Sequence, residues 1–357
     1  MEFRKNCKYA IACPTSMGVR ITPINGQPIE SSDTYKMQAT SAESNVLSIA
    51  AGLGKKTLVM TTFVKNDPIA EFIKRNLRSR GVDYVGKDVE KGDPWGYRHQ
   101  FNIAERGYGT RGPRVANDRS GEVGRTLSVE DFDLDEIFGK EGVEVLHLSG
   151  LIAALSPTTS KFCVALAEKA KEYGTKISFD LNYRASFWKG REEELSAAFK
   201  KIASLSDILV GNEEDYQLCL GLKGPEAGGK DLASKIDSFK EMILTAAKEY
   251  PAVSVFATTL RQVVSTNQHL WGAISYDGEK FTVVEPTPIY VYDRIGGGDG
   301  FVGGLLYALI CGNDVEYATK FGRASGAYVA TLETDYGLPA SESVITAIMA
   351  GDARVKR

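Results

Sequence analysis

The sequence predicts an α/β fold built on a mostly parallel β-sheet with helices on both faces. Short apolar runs rich in β-branched residues alternate with longer amphipathic stretches along most of the 357 residues. This strand, helix, strand alternation is typical of a parallel sheet that is covered on both sides. Hydrophobic residues make up 43% of the chain and charged residues 25%, which is typical of globular proteins and excludes a disordered, collagen-like or disulfide-scaffold chain.

The buried strands and the helices between them follow from this alternation. The strands are predicted at Tyr9–Cys13, Thr57–Phe63, Val145–Ser149, Lys176–Asp180, Asp207–Val210 and Val253–Thr258. Pro68 opens one helix, and Pro157 opens another that ends at Gly174. The chain is again helical in pattern from Gly300 onward. Because ligands of parallel sheets bind beyond the carboxyl ends of the strands, we expect the site there.

Two segments interrupt the alternation. Residues 15–42 hold short alternating runs separated by turn residues such as Asn25-Gly26, and residues 93–120 hold a similar run, Tyr97 to Ile103, before a stretch rich in Gly and Arg. Both patterns predict hairpins. We expect the two segments to form a small β-sheet lid over the active-site end of the core. The core would consist of residues 1–14, 43–92 and 121–357.

Charge, apolar runs and cysteine content exclude several classes of protein. The 43 Lys+Arg residues oppose 46 Asp+Glu residues, a net charge of −3 without a basic stripe, so no nucleic-acid partner is expected. The longest apolar run, Phe301 to Cys311, is about half of a membrane span, and Pro14 ends the N-terminal apolar segment too early for a secretory signal. We therefore expect a cytoplasmic protein with no membrane partner.

The five cysteines are scattered and never spaced as CxxC, which indicates buried free thiols.

The densest glycine cluster has the pattern of an anion site. Gly296, Gly297 and Gly298 precede an apolar helix, so their N–H groups can point at an anion beside the positive start of that helix. Asp299 lies at the helix start, either as an N-cap or as a general base. An N-cap needs one acceptor, whereas Asp293 and Asp299 frame the glycines on both sides. Such a pairing fits phosphoryl transfer, in which a carboxylate takes the proton of the attacking hydroxyl.

Two other glycine patterns do not indicate a dinucleotide site. Gly298 to Gly303 and Gly107 to Gly112 both match GxGxxG, but neither opens a first βαβ unit. The acidic residue expected about 20 positions further on is missing as well, which disfavours a nucleotide-dependent oxidoreductase. No GxxxxGK[ST] pattern occurs, so an ordinary P-loop NTPase is excluded.

The glycine cluster resembles the DTxGAGD signature of the pfkB, or ribokinase-like, carbohydrate kinases. The segment from Asp293 to Asp299 matches it with Arg for the usual Thr and Gly for the usual Ala. Asn45-Val46 before Gly52-Leu53-Gly54 is similar to the early motif of the family, and Asn212-Glu213-Glu214-Asp215 is similar to its NxxE motif. Residues 258–261 lie where the family has its nucleotide-binding turn. The resemblance covers nearly the whole chain.

This resemblance implies a ribokinase-like three-layer sandwich with a mostly parallel central sheet and a small β-sheet lid. It also implies transfer of the γ-phosphate of ATP to a sugar hydroxyl, with ATP and Mg²⁺ as cofactors. Asp299 would be the catalytic base, and Gly296, Gly297 and Gly298 would form the anion hole. The residues implied to bind the nucleotide are Asn212, Thr259, Arg261 and Asp293. Asp215 would organise the magnesium ion, and Asn45 would bind the sugar.

A second set of motifs resembles the 2-keto-3-deoxygluconate kinase branch of that family. Asp180-Leu181-Asn182-Tyr183-Arg184 near Trp188 is similar to its Asp-x-Asn-x-Arg segment. Arg111 and Arg119 fit its lid pattern. The resemblance implies sugar binding by Asn182, Arg184, Arg111 and Arg119. Arg184 would hold a sugar carboxylate, which a guanidinium binds through two parallel hydrogen bonds; a surface or interdomain salt bridge is the alternative for it.

Departures from the family pattern lie on the sugar side. Thr40-Ser41 replaces a Gly-Gly, Thr15-Ser16 replaces Gly-Glu or Gly-Asp, and Asn102-Ile103 replaces paired tyrosines. Added side-chain atoms would narrow the sugar cradle, so the sugar can differ from 2-keto-3-deoxygluconate. A fructokinase, a ribokinase-like kinase, or a non-catalytic sugar- or nucleotide-binding protein on this scaffold stays open. The family commonly forms dimers through its lid strands, and we expect a homodimer.

Overall fold

The computed structural model describes residues 1–225 and 232–352, which form two β-sheets and eleven α-helices. The strands are β1 (Tyr9–Pro14), β2 (Gly18–Pro23), β3 (Tyr35–Thr40), β4 (Thr57–Val64), β5 (Val82–Val89), β6 (Gln100–Glu105), β7 (Arg114–Asp118), β8 (Val143–Ser149), β9 (Lys176–Asp180), β10 (Ile208–Val210), β11 (Val255–Ser265), β12 (Gln268–Tyr276) and β13 (Phe281–Tyr290). The helices are α1 (Ala42–Gly52), α2 (Pro68–Ser79), α3 (Gly150–Ala154), α4 (Pro157–Glu172), α5 (Ala185–Trp188), α6 (Glu192–Leu205), α7 (Glu213–Leu220), α8 (Leu232–Glu249), α9 (Gly297–Ile310), α10 (Val315–Ala330) and α11 (Glu342–Met349).

The larger sheet confirms the predicted fold class. Its nine strands lie in the order β13-β12-β11-β10-β9-β8-β1-β4-β5. Every neighbouring pair from β11 to β5 is parallel, whereas β12 and β13 extend the sheet as antiparallel strands. The buried strands that the sequence predicted all lie in this parallel region. The ends of these parallel strands therefore meet at one edge, where the sequence places its candidate residues.

Two apolar clusters cover the two faces of this sheet and make the fold a three-layer sandwich. One cluster contains side chains of α4, α6, α7 and α8, such as Phe162 and Phe199. The other contains side chains of α1, α2, α9, α10 and α11, such as Phe301 and Phe321. Strand residues alternate between the clusters, because successive side chains point to opposite faces. Leu146 and Leu148 of β8 face the first cluster, and Val145 faces the second.

The predicted helix starts at the two prolines are present. Asp67 is the N-cap of α2 and accepts a hydrogen bond from the N–H of Ile69 (2.8 Å), with Pro68 in the first turn. Ser156 is the N-cap of α4 and accepts a hydrogen bond from the N–H of Thr159 (3.1 Å), and Pro157 is the first residue of the helix. Both starts follow from residue preference alone, because proline lacks an N–H that the first helical turn leaves unbonded.

The smaller sheet has the order β3-β2-β6-β7 and its strands lie within residues 15–42 and 93–120. Its strand β6 begins at Gln100, later than the predicted start at Tyr97. The central pair β2 and β6 is parallel, and the outer pairs are antiparallel. Two hairpin-like segments that are distant in the chain therefore combine into one sheet. Its movement as a lid stays a prediction, as does the division of the chain into core and lid.

The cysteines are free thiols, but one of them is not buried. Cys13, Cys163 and Cys219 are buried, Cys7 is half-buried, and Cys311 is exposed at the end of α9. The expectation of buried thiols was therefore wrong for Cys311. Among the helices in the described part of the chain, none is long and apolar enough to span a bilayer.

The contact between α1 and α9 depends on glycine. A Cβ atom at Gly303 would lie 2.4 Å from the carbonyl oxygen of Val46, closer than a real Cβ contact. This absence of a side chain lets the backbones of the two helices approach each other, which brings Asn45 of α1 next to the first turn of α9.

We expect Gly303→Ala to lower the free energy of unfolding by about 1–3 kcal/mol, because the added methyl group forces two packed helices apart. Gly112→Ala is the matched control, since a Cβ there meets nothing within 4 Å. Chemical denaturation of both variants would measure the difference. Equal stabilities of the two variants would contradict the packing argument.

Candidate active site

A cleft of about 1110 Å³ lies between the carboxyl ends of the parallel strands and the smaller sheet. Most of the residues that the sequence singled out line it: Asn45, Arg119, Asn182, Arg184, Asn212, Asp215, Thr259, Arg261, Gly296, Gly298 and Asp299. Gly297, Asp293 and Arg111 are not among its lining residues. The fold therefore gathers into one cleft side chains that are far apart in the chain.

The glycine loop forms the start of α9. Gly296 is the N-cap with a left-handed φ of 87°, and a Cβ on it would lie 1.9 Å from the carbonyl oxygen of Asp335. The first bond of the helix runs from the N–H of Gly300 to the carbonyl of Gly296 (2.8 Å), so the preceding N–H groups have no partner within the helix. Gly298 is exposed to the cleft, and Gly297 is buried beside it. These free N–H groups can bind an anion.

Asp299 lies in the first turn of α9 and is not its N-cap. Its Oδ2 accepts a hydrogen bond from Nδ2 of Asn45 (2.9 Å). Burial raises the pKa of Asp299 to about 7; the bond from Asn45 opposes this shift, whereas the nearby carboxylates of Asp335 and Glu43 add to it. A carboxylate with a pKa near neutrality is suited to accept a proton from a hydroxyl group.

Asp293 and Arg111 lie outside the cleft. Asp293 is buried, and its Oδ2 accepts from Nη2 of Arg20 on β2. The Arg111 side chain donates to the carbonyl of Gly26 and lies 3.8 Å from Oε1 of Glu105, so the side chain contacts residues within and beside the smaller sheet. The structure therefore does not bring Asp293 to the nucleotide side of the cleft or Arg111 to the sugar side.

Arg184 lies in the cleft without a direct ion pair. It is exposed, donates to the carbonyl of Tyr183 (2.7 Å), and forms no ion pair with any described residue. Burial raises the pKa of Asp180, Asp215 and Asp299, and the positive charge of Arg184 opposes part of that shift in each carboxyl group. Arg119 differs, because it donates twice to Glu122 (2.8 and 3.0 Å). Arg184 is therefore the guanidinium that a bound carboxylate can recruit.

Several amide groups around the sugar side lack partners. The side-chain oxygens of Asn45, Gln100, Asn102 and Asn182 are buried and accept no hydrogen bond from the described residues. Asn182 also has a left-handed φ of 37°, a conformation that non-glycine residues adopt mainly where the surroundings impose it. Unsatisfied buried acceptors beside a cleft are explained by a ligand or water that donates to them. Sugar hydroxyls are such donors.

Three of the residues that depart from the family pattern, Thr15, Ser16 and Thr40, donate hydrogen bonds to buried carboxylates. Thr15 donates to Oε2 of Glu43 (2.6 Å), and Ser16 donates to Oε1 of Glu122 (2.6 Å). Thr40 donates to Oδ2 of Asp335, and Ser41 is the N-cap of α1. The added hydroxyl groups therefore satisfy acids that line or support the cleft. Glu43 and Asp335 were not predicted, because isolated acids in a sequence carry no sign of their partners.

The cleft holds a second pair of arginines. Arg261 in the middle of β11 and Arg294 in the glycine loop both line it, and burial together with the charge of Arg294 lowers the pKa of Arg261. Neither forms an ion pair in the part of the chain that the structure describes. Arg294 was part of the quoted motif but was not singled out as a site residue. Two arginines without such an ion pair, beside helix N–H groups that have no partner within the helix, favour the binding of a polyanion such as a nucleotide phosphate.

The acidic end of the cleft has the oxygen donors that magnesium prefers. Asp215 of α7 accepts from the N–H groups of Tyr183 (2.9 Å) and Asn212 (2.8 Å). Within residues 1–225 and 232–352, no three His, Cys, Asp or Glu side chains are grouped so as to hold a metal ion. Mg²⁺ is usually held by one or two carboxylates together with phosphates and water. The residues present fit an ion held in that way, with Asp215 as the buried carboxylate.

Comparison with known proteins shows which family this sequence matches. The pfkB family of carbohydrate kinases matches residues 20–339. A 2-dehydro-3-deoxygalactonokinase from Haloferax volcanii is 28% identical over 95% of this chain and 96% of its own, and a 5-dehydro-2-deoxygluconokinase from Clostridium tetani is 26% identical over 89% and 86%. These matches confirm the family resemblance predicted from the glycine-loop motif.

Two solved structures share the fold. The crystal structure of 2-dehydro-3-deoxygluconokinase from Thermotoga maritima has a TM-score of 0.85 and 24% identity, covering 96% of this chain and 99% of its own. A candidate ribokinase II from E. coli, solved in complex with ATP and Mg²⁺, has a TM-score of 0.77 and 19% identity, covering 96% and 99%. Both confirm the three-layer architecture with its separate small sheet.

We expect the carboxyl group of Asp299 to titrate near pH 7, since burial raises its pKa to about 7. Asn45→Leu should raise this pKa further, because Asn45 donates to the ionised carboxylate. Carboxyl carbon NMR shifts, assigned with Asp299→Asn, would measure both values. A titration near the ordinary aspartate value of about 3.9 would contradict the expectation.

Proposed function

Since the chain belongs to the pfkB family of carbohydrate kinases, we propose that it transfers the γ-phosphate of ATP to a hydroxyl group of a keto-deoxy sugar acid, with 2-keto-3-deoxygluconate as the first candidate. The observation that carries this proposal is the position of Asp299. A carboxyl group with a pKa of about 7 lies in the first turn of a helix whose free N–H groups face the same cleft as an unpaired Arg184. That combination supports both proton removal and recognition of an anionic sugar.

The proposed reaction uses the residues of this chain in three places. Asp299 accepts the proton of the sugar hydroxyl as the hydroxyl oxygen attacks the γ-phosphorus, and ADP leaves as the bond between the γ-phosphorus and the bridging oxygen breaks. The N–H groups at the start of α9 stabilise the charge that develops on the transferred phosphoryl group. Asn45 holds the Asp299 carboxylate through its 2.9 Å bond and so sets the direction from which the hydroxyl is deprotonated.

ATP and Mg²⁺ belong to this proposal. Arg261 and Arg294 would bind the nucleotide phosphates, with Asn212 and Thr259 beside them in the cleft. Asp215 would hold Mg²⁺ through its water shell, because both of its oxygens already accept backbone N–H bonds. When bound, Mg²⁺ neutralises charge on the phosphate oxygens.

The sugar class follows from the cations and acceptors on the sugar side. Arg184 has no direct ion pair among the described residues, and a neutral sugar such as fructose or ribose has no carboxylate for its guanidinium to bind. A keto-deoxy sugar acid supplies that carboxylate and also hydroxyl donors for the unpartnered amide oxygens. The relatives from Haloferax and Clostridium are named for kinases of this class of sugar. We therefore place fructokinase and ribokinase activities second.

A homodimer and a cytoplasmic location stay predictions. The strand β7 is exposed along its whole length and lies at the edge of the smaller sheet. An open edge of this kind can pair with a second copy of the chain.

Replacing Asp299 by Asn should lower kcat by about 10²- to 10⁴-fold, because the variant lacks the base. In the wild type, kcat/KM should fall as the pH decreases through about 7, since Asp299 becomes protonated and cannot accept a proton. Initial rates from a coupled ADP-release assay between pH 5 and 9 would measure both effects. A variant with wild-type turnover would contradict the base assignment, whereas a wild type that turns over no candidate sugar would favour a non-catalytic binding protein.

The sugar class is tested with a panel of 2-keto-3-deoxygluconate, 2-keto-3-deoxygalactonate, gluconate, fructose and ribose. Arg184→Lys should raise the KM for an acid sugar roughly 10- to 100-fold, as expected for a lost charged hydrogen bond, with little change in the KM for ATP. Arg191→Lys is the control, because Arg191 pairs with Glu194 outside the cleft. Equal effects on both substrates, or a preference for neutral sugars, would contradict the carboxylate role.

A further inference from the structure

A buried ion pair joins the smaller sheet to the glycine loop. Arg20 of β2 donates through Nη2 to Oδ2 of Asp293, and the side chains are 0% and 2% exposed. Arg20 does not line the cleft and therefore cannot contact the substrate there. We infer that Arg20 is a positioning residue that, through Asp293, holds the glycine loop in the geometry needed for phosphoryl transfer. This inference rests on the proposed kinase function.

Asp293 shapes the loop through its second oxygen. Its Oδ1 accepts from the N–H of Ile295 (3.0 Å), which tightens the turn immediately before Gly296. Its own N–H donates to the carbonyl of Ala330 at the end of α10 (3.2 Å). One carboxylate oxygen of Asp293 thus holds the loop backbone and the other meets Arg20. A shift of this carboxylate would move the N–H groups that follow it.

A second acid fixes the other side of the same loop. The carboxylate of Asp335 accepts from Nε2 of Gln38 (2.8 Å) and from Thr40, both on β3 of the smaller sheet. The carbonyl of Asp335 lies against Gly296, where a Cβ would be only 1.9 Å away. Buried Arg80 donates through Nη2 to the carbonyl of Ala39, the residue before Thr40. Side chains on two adjacent strands of the smaller sheet, β2 and β3, therefore hold the glycine loop in position.

The strand register of the smaller sheet relates these loop contacts to a residue that lines the cleft. Arg20 pairs with Gln38 on one neighbouring strand and with Asn102 on the other. Asn102 lines the cleft, whereas Gln38 bonds Asp335. The remaining Arg20 donors, Nε and Nη1, have no partner among the described residues. The bond to Asp293 is therefore the contact through which Arg20 determines the position of the loop.

The energetic consequence of breaking this pair is large. Removing one partner of a buried ion pair leaves the other charge uncompensated and strongly destabilises the fold, whereas replacing both charged groups is often close to neutral. Stability and positioning can therefore be separated by a double variant. Asp293→Asn is suited to this purpose, because asparagine still offers an oxygen to the N–H of Ile295.

The test compares Arg20→Met, Arg20→Lys, Asp293→Asn and the double variant Arg20→Met/Asp293→Asn with Arg114→Met. Arg114 is the matched control, since it pairs with Glu30 and Glu105 on the far side of the smaller sheet. We expect Arg20→Met to lose thermal stability and the double variant to regain most of it. The double variant should still show kcat lowered about 10- to 100-fold, the effect of a slight misplacement of catalytic groups, with little change in the KM for the sugar.

Hydrogen exchange gives a readout that does not require turnover. Amides of residues 294–300 should exchange faster in Arg20→Met and in the double variant than in the wild type or Arg114→Met. Recovery of both stability and kcat in the double variant would overturn the inference, as would unchanged exchange in this segment. If the wild type phosphorylates no sugar of the panel, the kinase proposal fails, while faster exchange would still support the role of Arg20 in holding the loop.

Discussion

The close approach of α1 and α9 is the constraint on which the candidate site depends. Gly303 has no side chain, so the two helix backbones meet at the carbonyl of Val46. This contact places Asn45 within hydrogen-bond distance of Asp299 and fixes the start of α9 over the edge of the parallel sheet. The free N–H groups, the carboxylate and the cleft then share one location. Catalytic geometry here is a consequence of helix packing rather than of the loop alone.

Buried carboxylates dominate the electrostatics around that point. Glu43 and Asp335 lie near Asp299 and help to raise its pKa, and each of them is held by hydroxyl groups from Thr15, Ser149 or Thr40. The cleft also holds Arg184, Arg261 and Arg294, none of which forms an ion pair with a described residue. An anionic group in the cleft is therefore attracted to these guanidinium groups, while burial keeps the pKa of Asp299 at about 7.

Much of the fold could be predicted because it is encoded locally. The parallel strands are buried on both faces and read as continuous apolar runs, and the proline starts of α2 and α4 follow from helix geometry. The strands β5, β12 and β13 were not predicted. β5 is mostly exposed or half-buried and so lacks a continuous apolar run. β12 and β13 form an antiparallel extension of the sheet, and their residues range from buried to half-buried or exposed. β11 is longer than predicted because its second half pairs only with β12.

The sequence by itself determined the chemistry of the glycine loop, the identity of the candidate base and several of the cations that face the cleft, such as Arg184 and Arg261. These are properties of neighbouring residues, since a run of glycines before an apolar helix specifies a turn and a helix start. The tertiary structure alone decided the partners. Asp293 pairs with Arg20 across 273 positions and Thr40 with Asp335 across 295 positions, because the smaller sheet folds back onto the loop. A local sequence pattern cannot predict such pairs, because the two partners are far apart in the chain. They become buried together only when the two sheets meet.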